Sequence, residues 1–449
     1  MKVLLIQPPI EDFYTTPIRL YPLGLLYAAK VFEDSGWKVD ILDCLSPLKK
    51  KRMPIPKSFD YLIPFMKNPY FFKNYYRFGI ADEEIVSRIR ASSPDLIGVS
   101  SQFTAYYQCV EELARLVKKN FRLPIFIGGN HGTAFLEEIK LRTPDIDHVL
   151  AGPAEDCLPK FISEIGFNPF KEPVDWKRMM PSHHLLSGNA YRIGKKNYVS
   201  MVASRGCPYS CEFCSVHLMF GRKINYRSTE EVIEEMRWNY IHKNVRIFNF
   251  EDDNLSFDKQ WFLQFLKEVS RDSILKEIEL TAMNGICYPT LDDEILIAMR
   301  RSGFKQLNLS FVTQSAELKK KYHRPHALYD FESLIHTAQK LGFFITVYVI
   351  IGLPDQTFEE IKTSVDYLLE LGVLVGPSVF YLPPRSKLYE RLELSPEIKN
   401  NWNLYRSSAF ALETEHLNRA QLIDLFSYAR MKNLEKRMSS PLILQAQSD

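Results

Sequence analysis

Three cysteines stand close together in Arg205-Gly-Cys-Pro-Tyr-Ser-Cys-Glu-Phe-Cys-Ser215. Cys207, Cys211 and Cys214 follow a C-x3-C-x2-C spacing. Thiolates this near one another suit a metal cluster. Three of them, rather than four, leave one iron of a cubane cluster without a protein ligand, and an open metal position is where chemistry happens. A zinc knuckle with a distant fourth ligand, or three buried free thiols, is the other reading of the same spacing. The fourth zinc ligand normally comes from a second short Cys/His pair. His217 lies too near to complete a usual zinc ribbon and no second CxxC occurs, so an iron–sulfur cluster is the stronger reading. The chain has seven cysteines, and the other four (Cys44, Cys109, Cys157, Cys287) are scattered singly. That is no disulfide framework, and it predicts a reducing, cytoplasmic setting.

Loops must hold such a cluster, and strands must hold the loops. From about Tyr198 to Tyr381 the sequence alternates strand and helix in about six β/α units, enough for a partial barrel. The expected strands are Tyr198–Ala203, Val245–Phe250, Ile278–Ala282, Gln306–Phe311, Ile345–Ile351 and Ser378–Tyr381. Chemistry in such barrels comes from the loops after the strands. The cysteines, Glu251-Asp252-Asp253, Asn284, the Thr313–Ser315 turn and Gly352-Leu-Pro354 all follow strands. An earlier alternation, with strands at Val3–Gln7, Lys38–Leu42, Leu96–Ser100, Pro124–Ile127 and Asp147–Leu150, predicts a Rossmann-like parallel sheet covered on both faces. Ligands of such sheets lie beyond the carboxyl ends of the strands. The turns Ser100-Ser101, Gly128-Gly129 and Gly152 fall there.

The fold class expected is therefore α/β. Residues 1–165 form the N-terminal sheet domain and residues 166–196, with Pro169, Pro173 and Pro181, an interdomain linker. Residues 197–385 form the partial (β/α)6 barrel and residues 386–449 a small helical C-terminal region. An insertion from Leu45 to Phe78 carries the basic run Lys49–Arg52 and an aromatic cluster at 70–78. It reads as a lid or a surface for a hydrophobic substrate or membrane, or, the stronger reading, as a helix that packs its aromatics on the neighbouring domain. The 449 residues are 46% hydrophobic and 25% charged, with net charge +3. That charge is too small to argue for a nucleic-acid partner. No apolar run is long enough for a transmembrane segment, and the proline-broken start is no signal peptide.

The cysteine loop resembles the radical S-adenosylmethionine (SAM) superfamily. The wider stretch Ser204–His217, with Gly221-Arg-Lys223, Tyr226–Val232, Glu251-Asp-Asp-Asn254 and Gly352-Leu-Pro-Asp355, resembles its cobalamin-binding branch. So do Gln7-Pro-Pro9, Tyr21-Pro-Leu-Gly24 and Gly128–Thr133 in the first half.

This resemblance implies three cofactors: a [4Fe–4S] cluster on Cys207, Cys211 and Cys214, SAM, and cobalamin. It implies SAM contacts from Phe213, Glu251, Asp252, Asp253, Asn284, Ser310 and Gly352. The alternative role for strand-end carboxylates such as Glu251–Asp253 is to cap the next helix. Cobalamin contacts are implied for Ser100, Ser101, Gln102, Gly128, Gly129, His131 and Gly152. Two departures stand out. Val312 lies where many relatives have glutamate, and Cys287 lies where many have arginine. None of the ten histidines has the Asp-x-His-x-x-Gly context of a cobalt ligand. His131 is therefore not expected to bind cobalt.

The activity implied is methylation of an unactivated carbon in a small-molecule, lipid or peptide substrate, by way of a 5′-deoxyadenosyl radical and methylcobalamin. An external donor of the flavodoxin or ferredoxin type would supply electrons. A radical cyclisation or rearrangement using cobalamin is the alternative enzyme. A non-catalytic iron–sulfur or cobalamin sensor is the alternative of another class.

Overall fold

Apolar residues on successive strand positions face opposite sides of a sheet, and the N-terminal domain is built on that alternation. In this computed structural model, residues 1–17, 21–166, 173–187, 191–325, 327 and 329–439 are described. Residues 167–172 (with Pro169) and 188–190 of the expected linker, and 440–449 of the expected C-terminal region, lie outside the described residues. The N-terminal strands are β1 (Lys2–Gln7), β2 (Ile10–Asp12), β3 (Lys38–Asp43), β4 (Lys50–Met53), β5 (Tyr75–Phe78), β6 (Leu96–Ser100), β7 (Ile125–Gly128) and β8 (His148–Val149). Five of them form a parallel sheet in the order β3-β1-β6-β7-β8. Val3, Leu5, Leu96 and Phe126 pack under the helices Leu23–Asp34 and Ala154–Glu164. Leu4, Ile6, Ile97 and Ile127 pack under Asp82–Ser92 and Tyr107–Asn120. Burial on both faces is why these strands read as continuous apolar runs.

The second half contributes β9 (Arg192–Ile193), β10 (Lys196–Met201), β11 (Ser204–Arg205), β12 (Asn225–Tyr226), β13 (Val245–Phe250), β14 (Glu279–Thr281), β15 (Gln306–Val312), β16 (Phe344–Ile351) and β17 (Leu374–Val379). Strands β10, β13 and β14 pair in parallel, as do β15, β16 and β17. A bridge between Ile286 and Leu309 joins the two groups into one curved wall. The last strand begins four residues earlier than the sequence suggests, because Gly376-Pro377 reads as a breaker. Proline is tolerated here because β17 is an edge strand paired only with β16. Glycine is required at 376 because a Cβ there would lie 2.2 Å from the Tyr348 ring.

The helices Thr229–Lys243, Lys259–Arg271, Asp293–Ser302, Phe331–Lys340 and Phe358–Glu370 each begin with a side-chain cap. Ser228, Asp258, Asp292, Asp330 and Thr357 accept from the amides of Glu231, Trp261, Ile295, Ser333 and Glu360. Such caps contribute about 1 kcal/mol each.

The insertion and the C-terminal region interlock the two halves. Strands β2, β5 and β4 make a small antiparallel sheet. Phe59, Leu62, Phe71 and Phe72 of the insertion share one core with the barrel and with Phe410 and Phe426. The insertion packs its aromatics as the stronger sequence reading had it, but not as a helix: Tyr75–Phe78 is strand β5, because its backbone pairs with β2 and β4. Described parts of the 166–196 segment also pack firmly, with His183 buried between Tyr21 and Glu235. No helix among the described residues is long and apolar enough to cross a membrane.

Candidate active site at the domain interface

The cysteine loop leaves β11 through Gly206 and is held from below by two carboxylates. Asp252 accepts from the Ala203 amide at 3.1 Å, the Ser204 amide at 2.5 Å and the Ser204 hydroxyl at 2.6 Å. Asp253 accepts from the Gly206 amide at 3.0 Å. Burial pushes the Asp252 carboxyl up to about 7, against the opposing hydrogen bonds from Ser204 and Ala203. Neither group caps the next helix, whose cap is Asp258. Their observed work is to fix the backbone just before Cys207.

Two nitrogen donors reach the cysteine sulfurs. Asn254 Nδ2 donates to Cys207 Sγ at 3.8 Å, and Arg324 Nη1 donates to Cys211 Sγ at 3.7 Å. Burial raises the Cys207 thiol, and raises Cys214 to about 11. All three cysteines are free thiols, so metal loading at neutral pH must release their protons. Among the described residues, no three His, Cys, Asp or Glu side chains converge as a single-ion site. A four-iron cluster is wider than one ion and needs its thiolates farther apart.

The other expected SAM residues divide by position. Glu251 is half-buried just past the end of β13, accepting from Asn249 Nδ2 at 2.5 Å and from the Ser200 hydroxyl at 3.4 Å. Ser310 lies beside Arg324, whose Nη2 donates to the Ser310 carbonyl at 3.1 Å. Asn284 is half-buried in the turn after β14. Phe213 packs near Tyr322 and under the Arg324 guanidinium. Gly352 is buried against Leu422 of the C-terminal helix Arg419–Ser439, and its amide donates to Gln356 Oε1. The two departures are also placed. Val312 has φ +75, which β-branched residues rarely adopt, and sits in an apolar cluster with Leu318, Tyr322 and Leu353. Cys287 is a half-buried thiol raised to about 11, by desolvation against the nearby Arg324 charge.

The expected cobalamin turns gather at the carboxyl edge of the first sheet. The Ser101 amide donates to the Gly128 carbonyl and the His131 amide to the Ser101 carbonyl. Gly129 has φ +117, and a Cβ there would lie 2.8 Å from the Ser101 oxygen, so only glycine fits. Ser100 ends β6, and Gln102 is exposed beside it. Gly152 donates to Thr133 Oγ1 at 3.0 Å. The buried Ser101 hydroxyl and His131 Nε2 have no protein partner. The His131 ring is enclosed by Tyr107, Phe135 and Trp402, with Nδ1 3.0 Å from the Thr104 hydroxyl. Burial depresses it to about 3, so the imidazole is neutral.

These two edges touch. The short helix Asn130–Ala134 packs on His217–Phe220, the turn that follows the cysteines. The Thr133 hydroxyl approaches Met219 Sδ at 4.0 Å. Arg205 of the cysteine loop pairs with Glu155, just beyond Gly152.

Comparison with known proteins matches the same two regions. The Radical SAM superfamily profile matches residues 201–368 and the B12 binding domain profile matches residues 56–162. The chain belongs to the cobalamin-binding radical SAM superfamily. It is 23% identical to an uncharacterized methyltransferase of Pyrococcus horikoshii over 96% of this chain and 91% of that one. It is 25% identical to cytidylyl-2-hydroxyethylphosphonate methyltransferase of Streptomyces wedmorensis, over 83% of this chain and 77% of that one. In fold it is similar to the radical SAM methyltransferase TsrM of Kitasatospora setae, with a TM-score of 0.63 and 17% identity over 93% of this chain and 84% of that one.

This radical SAM enzyme therefore works with a [4Fe–4S] cluster, SAM and cobalamin. Its residues fit them. Three free thiols on a pinned loop, with N–H donors aimed at two sulfurs, suit anionic thiolate ligands. The close turn at Gly129 and the unpaired Ser101 hydroxyl suit a ligand lying against the sheet edge. Sequence reasoning missed Arg324, Asn254 as a sulfur donor, and the Arg205–Glu155 pair. No local signal marks Arg324, which follows a short helix in an irregular turn. Glu155 and Arg205 are 50 residues apart, so their pairing is visible only in three dimensions.

Proposed function

We propose that this protein is a cobalamin-dependent radical SAM methyltransferase acting on an unactivated carbon of a small-molecule, lipid or peptide substrate. The supporting observation is the direct contact between the two edges, through Thr133 and Met219 and through Glu155 and Arg205. It brings the candidate cobalamin turns and the candidate cluster loop to one interface, where a single substrate can meet both.

In this reading Cys207, Cys211 and Cys214 hold the cluster. When bound, the cofactors supply hydrogen-atom abstraction and methyl transfer, as cofactors do in such enzymes. Asp252 and Asp253 fix the loop that positions the three thiolates. Glu251 and Asn284, half-buried just past strand ends, would meet the polar groups of SAM. Gly129 lets the backbone approach cobalamin closely, and Ser101 offers it an unpaired hydroxyl. His131, enclosed by aromatic rings, contributes packing and leaves the cobalt without an imidazole. A flavodoxin- or ferredoxin-type donor supplies the electrons.

The test is turnover by reconstituted, reduced protein with SAM and candidate substrates. A product heavier by one methylene unit is expected. A product lighter by two hydrogens would make it a cyclase. Release of neither 5′-deoxyadenosine nor S-adenosylhomocysteine would make it a sensor.

A further inference from the structure

Arg324 is a half-buried cation whose guanidinium forms no ion pair with a carboxylate among the described residues. Its Nη1 donates to Cys211 Sγ at 3.7 Å, and its Nη2 to the carbonyl and hydroxyl of Ser310 at 3.1 and 3.4 Å. The Phe213 ring lies 6.0 Å from the guanidinium carbon. Burial opposes its charge, and the neighbouring thiols Cys287 and Cys211 favour it. The other cation nearby, Lys319, is lowered by burial and by Arg324 itself, and donates to the Tyr288 hydroxyl.

A charge partly withdrawn from water loses solvation that a facing counter-charge restores. Here the groups facing it are sulfurs. The segment that carries it is itself tied to the cysteine loop, because the Glu212 amide donates to the Tyr322 carbonyl at 3.2 Å. Ser310 fixes one prong of the fork, so the other prong keeps its aim at Cys211.

We propose that Arg324 is the counter-charge of the iron–sulfur cluster and, through Cys211, sets its reduction potential. This rests on the reading of Cys207, Cys211 and Cys214 as cluster ligands. One-electron reduction adds one negative charge to the cluster. A fixed cation and an N–H donor at a ligating sulfur stabilise the reduced form more than the oxidised form. The electron comes from the one-electron donor, and Arg324 keeps its protons throughout. Arg324 is thus a positioning residue for charge.

The experiment is an electron-paramagnetic-resonance redox titration of full-length reconstituted protein, with iron and sulfide content measured alongside. Arg324→Gln keeps a donor without charge, and Arg324→Lys keeps the charge without the fork. At a fixed solution potential, the reduced-to-oxidised ratio of Arg324→Gln is expected to fall about tenfold, which is ~59 mV for one electron. Arg324→Lys is expected to stay near the parent protein. An unmoved ratio in fully loaded Arg324→Gln, or equal shifts in both variants, would overturn the proposal. If Arg324→Gln loses iron, retention of iron and of the parent ratio by Arg324→Lys supports it. Iron loss in both variants makes the role structural and overturns it. A parent protein that takes up no iron would instead overturn the cluster reading beneath it.

Discussion

Arg205, two positions before Cys207, forms a buried ion pair with Glu155, which opens the helix beyond Gly152. The guanidinium also lies 4.3 Å from the Trp176 ring centre and 4.5 Å from that of Tyr27. One side chain therefore ties the cysteine loop to the edge of the first sheet. Removing one partner of a buried pair leaves the other uncompensated and costs about 3–5 kcal/mol. Arg205→Met and Glu155→Gln are each expected to lower the denaturation midpoint clearly. The double variant is expected to lose less than the sum. Additive losses in a double-mutant cycle would show that the pair is not the coupling element.

The three cysteines are predicted to act as a unit. Cys207→Ala, Cys211→Ala and Cys214→Ala should each abolish the iron–sulfur absorbance of anaerobically reconstituted protein. Cys157→Ala and Cys287→Ala should keep it, because these thiols lie outside the triad. Full iron content in any triad variant would remove that cysteine from the ligand set.

Asp252 gives a pH signature. Its carboxyl is raised from 3.8 to about 7 by burial. Between those values the folded protein holds a proton that the unfolded chain releases. The resulting stability is complete below about 4 and is lost as pH rises to about 7, at roughly 1.4 kcal/mol per pH unit. Asp252→Asn should flatten that part of the stability curve of the cluster-free protein. Denaturant titrations across this range check it, and an unchanged slope would remove Asp252 as its source.

His131 has the opposite sign. Burial depresses its imidazole from 6.5 to about 3. Its stabilising effect is present above 6.5 and is lost as pH falls towards 3. His131→Phe, an aromatic replacement inside the Tyr107, Phe135 and Trp402 cage, should be less sensitive to acid in this window. It should also bind cobalamin with an unchanged visible spectrum. A nitrogen-ligated cobalt spectrum that disappears in His131→Ala would refute the assignment of His131 to packing.

Much of the fold is local and so is written along the chain. The helix over Leu23–Asp34 and the strand over Leu96–Ser100 follow from apolar runs and their flanks. The helix starts at Ser228, Asp258 and Asp292 follow from capping side chains. The cysteine spacing is likewise local, because all three thiols sit on one short loop. The start of β17 was not legible, since Gly376 answers to the Tyr348 ring from another strand.

The sequence by itself determined the two α/β modules and the spacing of the cysteine triad, because each depends on neighbours in the chain; the cofactor set followed from the family those motifs resemble. Only the tertiary structure decided what surrounds the triad. Asp252 and Asp253 turn to the loop backbone, His131 is walled in by Trp402 from the C-terminal region, and Arg324 reaches Cys211 across 113 residues. Those relations depend on how separate segments pack. A charge such as Arg324 shows its partner only once the fold has closed around it.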